Sequence, residues 1–239
     1  MNGHTIVRLS EISSTQTYAK QLKQAGQSTI VIAKRQTDGR GTKERSFSSD
    51  EGGLYFSKLT FYKDFETKNS FRLMQRTAVA VCKTLESYGF TPKIKWANDV
   101  FINGKKVCGI LTENTFSGAR LVCSLIGVGL NVNNRLPSEL SAIATSMQAE
   151  RGAPFDLSEV ESRLFTFMEE DTAFQDYRAR LGWLGEEVAL KKGNECIPAT
   201  LLSVNERGEL VVKVGEEIRQ IAVGEISVRV YGEKNGKER

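Results

Sequence analysis

Four short runs in this 239-residue chain carry side chains suited to chemistry: Gly39-Arg40-Gly41; Lys95-Trp96-Ala97-Asn98-Asp99, followed by Lys106; Gly109-Ile110-Leu111-Thr112-Glu113; and Gly127-Val128-Gly129-Leu130-Asn131. In the first, glycine permits positive φ and close approach of backbone N–H groups to an anion, and Arg40 adds a charged fork of donors. A phosphate or carboxylate fits such a loop, although an isolated Gly-Arg-Gly is more often an ordinary solvated loop. The run G-x-x-x-x-G-K-[ST] is absent, which excludes a P-loop.

Asp99 and Lys106 stand on either side of an Asn103-Gly104 turn, so a hairpin can bring them together. A lysine facing a carboxylate and an α-phosphate would neutralise charge as the two react, with an aspartate nearby to hold the lysine or a magnesium ion. The structural alternative is a surface lysine and an Asn-Asp turn. Gly127 and Gly129 alternate with aliphatic residues on a strand, where bare glycine leaves room for a flat ligand or for a closely packed helix. Ser14 and Thr15 serve equally as helix caps and as hydroxyl partners for a polar ring.

The elements that must position these groups are mixed. Thr5 to Leu9 reads as a first strand. Ser13-Ser14-Thr15 then starts a helix with Tyr18, Leu22 and Ala25 on one face, stopped by Gly26. The apolar run Ile30 to Ala33 reads as a buried strand leading into a polar loop from Gln36 to Gly53, almost without apolar anchors. Leu54 to Phe56 resumes a strand, Phe71 to Tyr88 is a long helix ended by Gly89, and Val100 to Ile102 pairs with Val107 to Leu111. Asp156-Leu157-Ser158-Glu159 has capping-box spacing and opens a helix expected to reach about Arg180, with Leu157, Val160, Leu164 and Phe167 on one stripe. Beyond Gly185 come five short β segments: Val188 to Leu190, Ala199 to Val204, Leu210 to Val214, Ile218 to Val223 and Ser227 to Val230. Five strands without a helix predict a small SH3-like barrel. The expected division is a catalytic domain over 1–184 and a barrel over 185–239, the latter ending in a polar tail from Gly232.

Composition narrows the function classes. Apolar runs fall short of the roughly 18 residues of a membrane span, and no secretory pattern opens the chain, which predicts a cytoplasmic protein without membrane partners. A net charge of +4, from 33 basic and 29 acidic residues, carries no long basic tract, so nucleic acid is not expected. Cys82, Cys108, Cys123 and Cys196 lack C-x-x-C spacing and read as buried free thiols. A single histidine, His4, read as a surface residue, argues against a histidine metal cluster or a histidine-based triad.

Taken in order, the four runs resemble those of the biotin–[biotin carboxyl carrier protein] ligase family, and the similarity extends from Ser14-Thr15-Gln16 to Gly224-Glu225-Ile226-Ser227-Val228-Arg229. The resemblance implies an α+β fold: a central mixed sheet flanked by helices, related to class II aminoacyl-tRNA synthetases, with a C-terminal SH3-like barrel. Fewer than fifteen residues precede Ser14, so the expected type is short and monofunctional, without the N-terminal DNA-binding domain. For biotin, the resemblance implies contacts from Ser14, Thr15, Gln16 and Gln36, a covering loop of Gly39, Arg40, Gly41 and Thr42, and a lining of Lys106, Gly109, Leu111, Gly127 and Gly129. It assigns Lys43, Arg45, Phe47, Asn98 and Asn131 to the nucleotide. Lys106, Arg40 and Asp99 become the catalytic groups, with Asp99 also the expected magnesium ligand.

The chain departs from the family's G-R-G-R-x-G-R-x-W at Thr42, Glu44 and Phe47, and from K-W-P-N-D at Ala97. Arg45 is kept, and either the loop has lost a phosphate anchor at Thr42 or Lys43 takes the place of the missing arginine. The implied reaction uses biotin, ATP and Mg2+ to make biotinyl-5′-AMP, then biotinylates a lysine of a carrier domain such as that of acetyl-CoA carboxylase or pyruvate carboxylase. A lipoate–protein ligase and a biotin-binding regulator without transfer activity are the alternatives, and a homodimer stays open.

Overall fold

The computed structural model describes residues 3–42, 45–192, 195–222 and 227–230. Strand β1 (Thr5–Ile12) leads to Ser14, which is extended and caps helix α1 (Thr15–Gln21) by accepting from the Thr17 N–H. Its hydroxyl takes one of the donors that every helix start leaves unpaired. A 3-10 turn over Leu22–Ala25 follows, and Gly26 ends it at φ 65°. Strands β2 (Thr29–Gln36) and β3 (Leu54–Phe61) flank the glycine-rich loop, and helix α2 (Phe71–Ser87) stops before Gly89. Then come β4 (Lys93–Lys95), β5 (Asp99–Ile102), β6 (Lys105–Ser117) and β7 (Arg120–Leu130). Asn103 and Gly104, at φ 51° and 76°, make the tight β5–β6 turn.

These strands form one mixed seven-stranded sheet in the order β1-β2-β3-β7-β6-β5-β4, with β1 and β2 parallel and the other neighbours antiparallel. Alternation along the strands divides the side chains between two faces. Ile30 and Ile32 enter the larger core beneath α2, whereas Val31 joins Ala19, Leu59, Cys123 and Leu125 beneath α1.

The single helix expected from Asp156 to Arg180 is two. After a short helix α3 (Met147–Arg151), α4 (Leu157–Glu169) is capped by Asp156, and α5 (Phe174–Ala179) begins only after a break. The break has a physical cause on α2: Arg76 Nη2 donates to the Glu170 carbonyl at 2.9 Å and Gln75 Nε2 to the Thr172 carbonyl at 3.5 Å. The Asp176 carboxylate then accepts from the Ala173 N–H to start α5. Within α4, Val160, Leu164 and Phe165 are the buried residues, while Leu157 and Phe167 are only partly covered.

The second sheet consists of β8 (Glu187–Lys192), β9 (Glu195–Val204), β10 (Leu210–Val214), β11 (Glu217–Ile221) and β12 (Ser227–Val230), antiparallel in the order β11-β10-β9-β8-β12. This is the small antiparallel unit expected of an SH3-like fold. Val223, Gly224 to Ile226 and the tail from Gly232 lie outside the described residues. The two sheets share one core, because Val188, Leu190, Leu201, Leu210 and Val212 join Ile94, Trp96, Leu181 and the α2 residues. Three cysteines are buried and free, but Cys196 is exposed, because it lies at the outer end of β9. His4 is half-buried rather than on the surface, since its Nε2 sits 3.0 Å from Thr60 Oγ1.

Candidate active site

The face of the large sheet that α1 covers is only half covered. On β7 the side chains facing α1 are Cys123 and Leu125, and the next two positions on that face are Gly127 and Gly129. Across the sheet, Gly127 lies between Ser57 and Leu111, and Gly129 between Tyr55 and Gly109. Glycine at three of these positions turns the sheet surface beyond the start of α1 into the floor of a cleft. A Cβ on Gly127 would come within 2.6 Å of Gln16 Oε1, and one on Gly129 within 2.5 Å of the Phe47 ring.

Lys106 reaches this floor through a bulge. In an unbroken strand, residues 106 and 109 would point to opposite faces. The β5–β6 register shifts between Val100 and Phe101: Val100 pairs with Cys108 and Phe101 with Lys106, leaving Val107 as the extra residue. Val107 and Cys108 consequently both enter the core, and the Lys106 side chain lies over Gly109, whose Cβ position is 3.1 Å from Lys106 Nζ. There Lys106 Nζ pairs with Asp99 Oδ1 at 2.8 Å, each side chain about a third exposed. The neighbouring Cys108 thiol is fully buried, and burial holds it above its ordinary pKa, so it is a packing group and not a nucleophile.

The segment before Asp99 is clasped from three sides. Trp96 Nε1 donates to the Gly208 carbonyl of the β9–β10 turn at 2.8 Å, Tyr177 of α5 donates to the Ala97 carbonyl at 3.0 Å, and Asn98 Nδ2 donates to the Ile110 carbonyl at 2.7 Å. The Trp96–Ala97 peptide is cis.

At the other end of the cleft, a chain of polar side chains ties α1 to the sheet and the loop. Thr15 N–H and Oγ1 both meet Gln36 Oε1, at 2.8 and 3.0 Å. Gln36 Nε2 donates to Ser49 Oγ, which donates to the Phe47 carbonyl. The loop's arms pair as a small hairpin: the Phe47 N–H donates to the Gly39 carbonyl, the Gly41 N–H to the Arg45 carbonyl, and Arg40 bridges Ser46. Gly39 is required by close approach, since a Cβ there would lie 2.3 Å from the Phe47 carbonyl oxygen. Lys43 and Glu44 lie outside the described residues.

Ser14, Thr15, Gln16, Gln36, Arg40, Gly41, Thr42 and Phe47 line the cleft from the α1 and loop side. Asn98, Asp99, Lys106, Gly109, Leu111, Gly127 and Gly129 line it from the sheet. Arg40 is exposed, and its 3.4 Å contact to Asp38 is a surface pair of little energetic weight. Gly39 and Arg45 shape the loop without lining the cleft. Asn131 is not brought to it: the residue is buried, with Nδ2 donating to the Thr145 carbonyl and Oδ1 accepting from Asn134. Gln16 reaches the cleft with its amide already engaged by Glu113 and Ser57. Ser57, with Phe56, Ile110 and Val128, completes the lining and was not expected from the sequence. A small hydroxyl side chain directly after the apolar run Leu54 to Phe56 was the available signal for Ser57.

The loop also has the apolar anchor that its composition obscured. Phe47 lies against the floor glycines, edge-on to Tyr55 at 6.5 Å between ring centroids and 5.7 Å from Lys106 Nζ. Burying part of a phenylalanine contributes about 1.5 kcal/mol, so Phe47→Ala is expected to raise proteolytic cleavage within residues 39–52 of the unliganded protein roughly tenfold. Limited proteolysis read by mass spectrometry measures this.

A glycine-floored cleft with a lysine–aspartate pair at one end and a fixed polar network at the other offers the cation and the hydrogen-bonding groups that a carboxylate beside a phosphate needs. Residues 9–131 match the Biotin/lipoate A/B protein ligase family, and the chain belongs to that family. Among relatives, the bifunctional ligase/repressor BirA of Bacillus subtilis is 32% identical over 95% of this chain and 74% of its own length. A biotin–[acetyl-CoA-carboxylase] ligase of Mycobacterium tuberculosis is 26% identical over 82% of this chain and 77% of its own. The structure of the Aquifex aeolicus biotin protein ligase in complex with biotin and ATP superposes with a TM-score of 0.79 at 33% identity, covering 95% of this chain and 99% of that one.

Proposed function

We propose that this chain is a biotin–protein ligase. It joins the biotin carboxylate to the α-phosphate of ATP, releasing pyrophosphate, and then passes the acyl group of biotinyl-5′-AMP to a carrier lysine, releasing AMP and forming an amide. The observation that carries this reading is the placement of Lys106 over the glycine floor with Asp99 at 2.8 Å. Lys106 stands where it neutralises the negative charge that gathers as carboxylate meets phosphate, and Asp99 orients it. Arg40, exposed and only loosely held, is free to swing onto a phosphate.

Among the described residues no group of three or more His, Cys, Asp or Glu gathers, which suits a magnesium ion held mainly by nucleotide phosphates with one carboxylate. Asp99 would hold that ion, whose chemistry is further charge neutralisation at phosphorus. The acceptor we infer is a biotin carboxyl carrier domain of an acetyl-CoA or pyruvate carboxylase.

ATP–pyrophosphate exchange with biotin, with lipoate and without acid tests the reading. Exchange with biotin alone, followed by labelling of a carrier domain, is the expected outcome. Exchange with lipoate in place of biotin would overturn it, and exchange without transfer would mark a regulator.

A further inference from the structure

We propose that Glu113, which does not line the cleft, is a positioning residue that makes Thr15 a hydrogen-bond acceptor for the N–H of a cyclic urea. The inference rests on the ligase reading and concerns how the same cleft selects its acid. Glu113 lies on β6, on the face that α1 covers. Lys20 Nζ holds one of its carboxylate oxygens at 2.6 Å, and Gln16 Nε2 donates to the other at 2.8 Å.

Each proton in the chain of contacts is then assigned. A carboxylate only accepts, so the Gln16 amide nitrogen must face Glu113 and its oxygen must face Ser57. Ser57 Oγ, 3.0 Å away, spends its one proton on that oxygen. At the other end the Thr15 backbone N–H donates to Gln36 Oε1, so the atom there is the amide oxygen and has no proton to give. Thr15 Oγ1 lies 3.0 Å from Gln36 Oε1 and 2.9 Å from Ser57 Oγ. Whichever of these takes the Thr15 proton, neither returns one. The Thr15 oxygen therefore keeps its acceptor capacity for a ligand in the cleft that Thr15, Ser57 and Gln36 line.

A cyclic urea brings N–H donors that match this polarity. A dithiolane or a plain alkyl chain brings none and leaves the acceptor unsatisfied, which is how a site built on hydrogen bonds rejects a close analogue. With glutamine at position 113 the strong constraint is lost, and Gln16 Nε2 keeps only its long 3.5 Å contact to the Leu125 carbonyl: the amide of Gln16 can turn, Ser57 is released to donate to Thr15, and the acceptor is partly consumed from within.

The test uses Glu113→Gln in the full chain. Binding is measured for biotin and for two isosteric analogues, each with one ureido N–H replaced by ring oxygen. Biotin affinity is expected to fall roughly 5- to 15-fold, the worth of one hydrogen bond, while the affinity for whichever analogue lacks the N–H facing Thr15 stays within about twofold. The KM for biotin should rise more than kcat falls. Lys20→Met, which removes the ion pair but keeps the carboxylate, should retain wild-type biotin affinity. Unchanged biotin binding in Glu113→Gln, equal weakening for biotin and both analogues, or a loss in Lys20→Met as large as in Glu113→Gln would each overturn the proposal. A wild-type protein that binds no biotin would overturn the ligase reading with it.

Discussion

Replacing Lys106 with alanine is expected to slow biotin-dependent ATP–pyrophosphate exchange roughly 10²- to 10³-fold, the usual cost of removing a group aimed at developing charge. The fold should scarcely notice. Lys106 and Asp99 are each about a third exposed, and an ion pair so placed contributes at most ~1 kcal/mol, so the melting temperature should move by only a few degrees. The backbone at 106 is held independently of the side chain, with its N–H donating to the Ile143 carbonyl and its carbonyl accepting from the Thr145 N–H. Exchange kinetics and a thermal melt on the same preparation separate the two effects. Near-normal exchange in the variant would remove Lys106 from the chemistry.

The second large effect is one of stability. Gly208 sits at φ 84° in the β9–β10 turn, and a Cβ there would lie 2.2 Å from Phe71 Cδ2 at the start of α2. Gly208→Ala therefore adds a left-handed backbone penalty to overpacking against a buried aromatic ring, about 3 kcal/mol together and close to a 10 °C drop in melting temperature. Because the Gly208 carbonyl also receives the Trp96 indole N–H, the same change should weaken nucleotide-dependent activity before the protein unfolds. A variant that melts like the wild type would show that the turn is loosely held.

Much of the site was legible because its signals are local. The Asn103-Gly104 turn brought Asp99 and Lys106 together as expected, since those two residue types accept positive φ at adjacent positions. Ser14 as helix cap and Gly26 and Gly89 as helix ends follow from equally local chemistry. The failures are where distant residues decide. The break between α4 and α5 depends on Arg76 and Gln75 of another helix capturing carbonyls, which no periodicity within 156–180 records. Asn131 sits at the end of a glycine-bearing strand like a ligand contact, yet Thr145 and Asn134 engage its amide. Phe47 stood in a polar loop with no visible packing partner, and its partners turn out to be the bare backbones of Gly109 and Gly129, which have no side chain to advertise them.

The bulge at Val107 also divides the chain into places where its length can drift and places where it cannot. Adding one residue within the mostly exposed stretch 138–142 only lengthens a surface connection, a change that loops absorb readily. Adding or removing one residue between Lys106 and Gly109 would duplicate or erase the irregularity, and the lysine would swing to the side of the sheet packed beneath α2 with every neighbouring side chain intact. Insertions and deletions that have been tolerated in descendants of this chain should therefore spare the interval 106–109, whatever substitutions it has accepted.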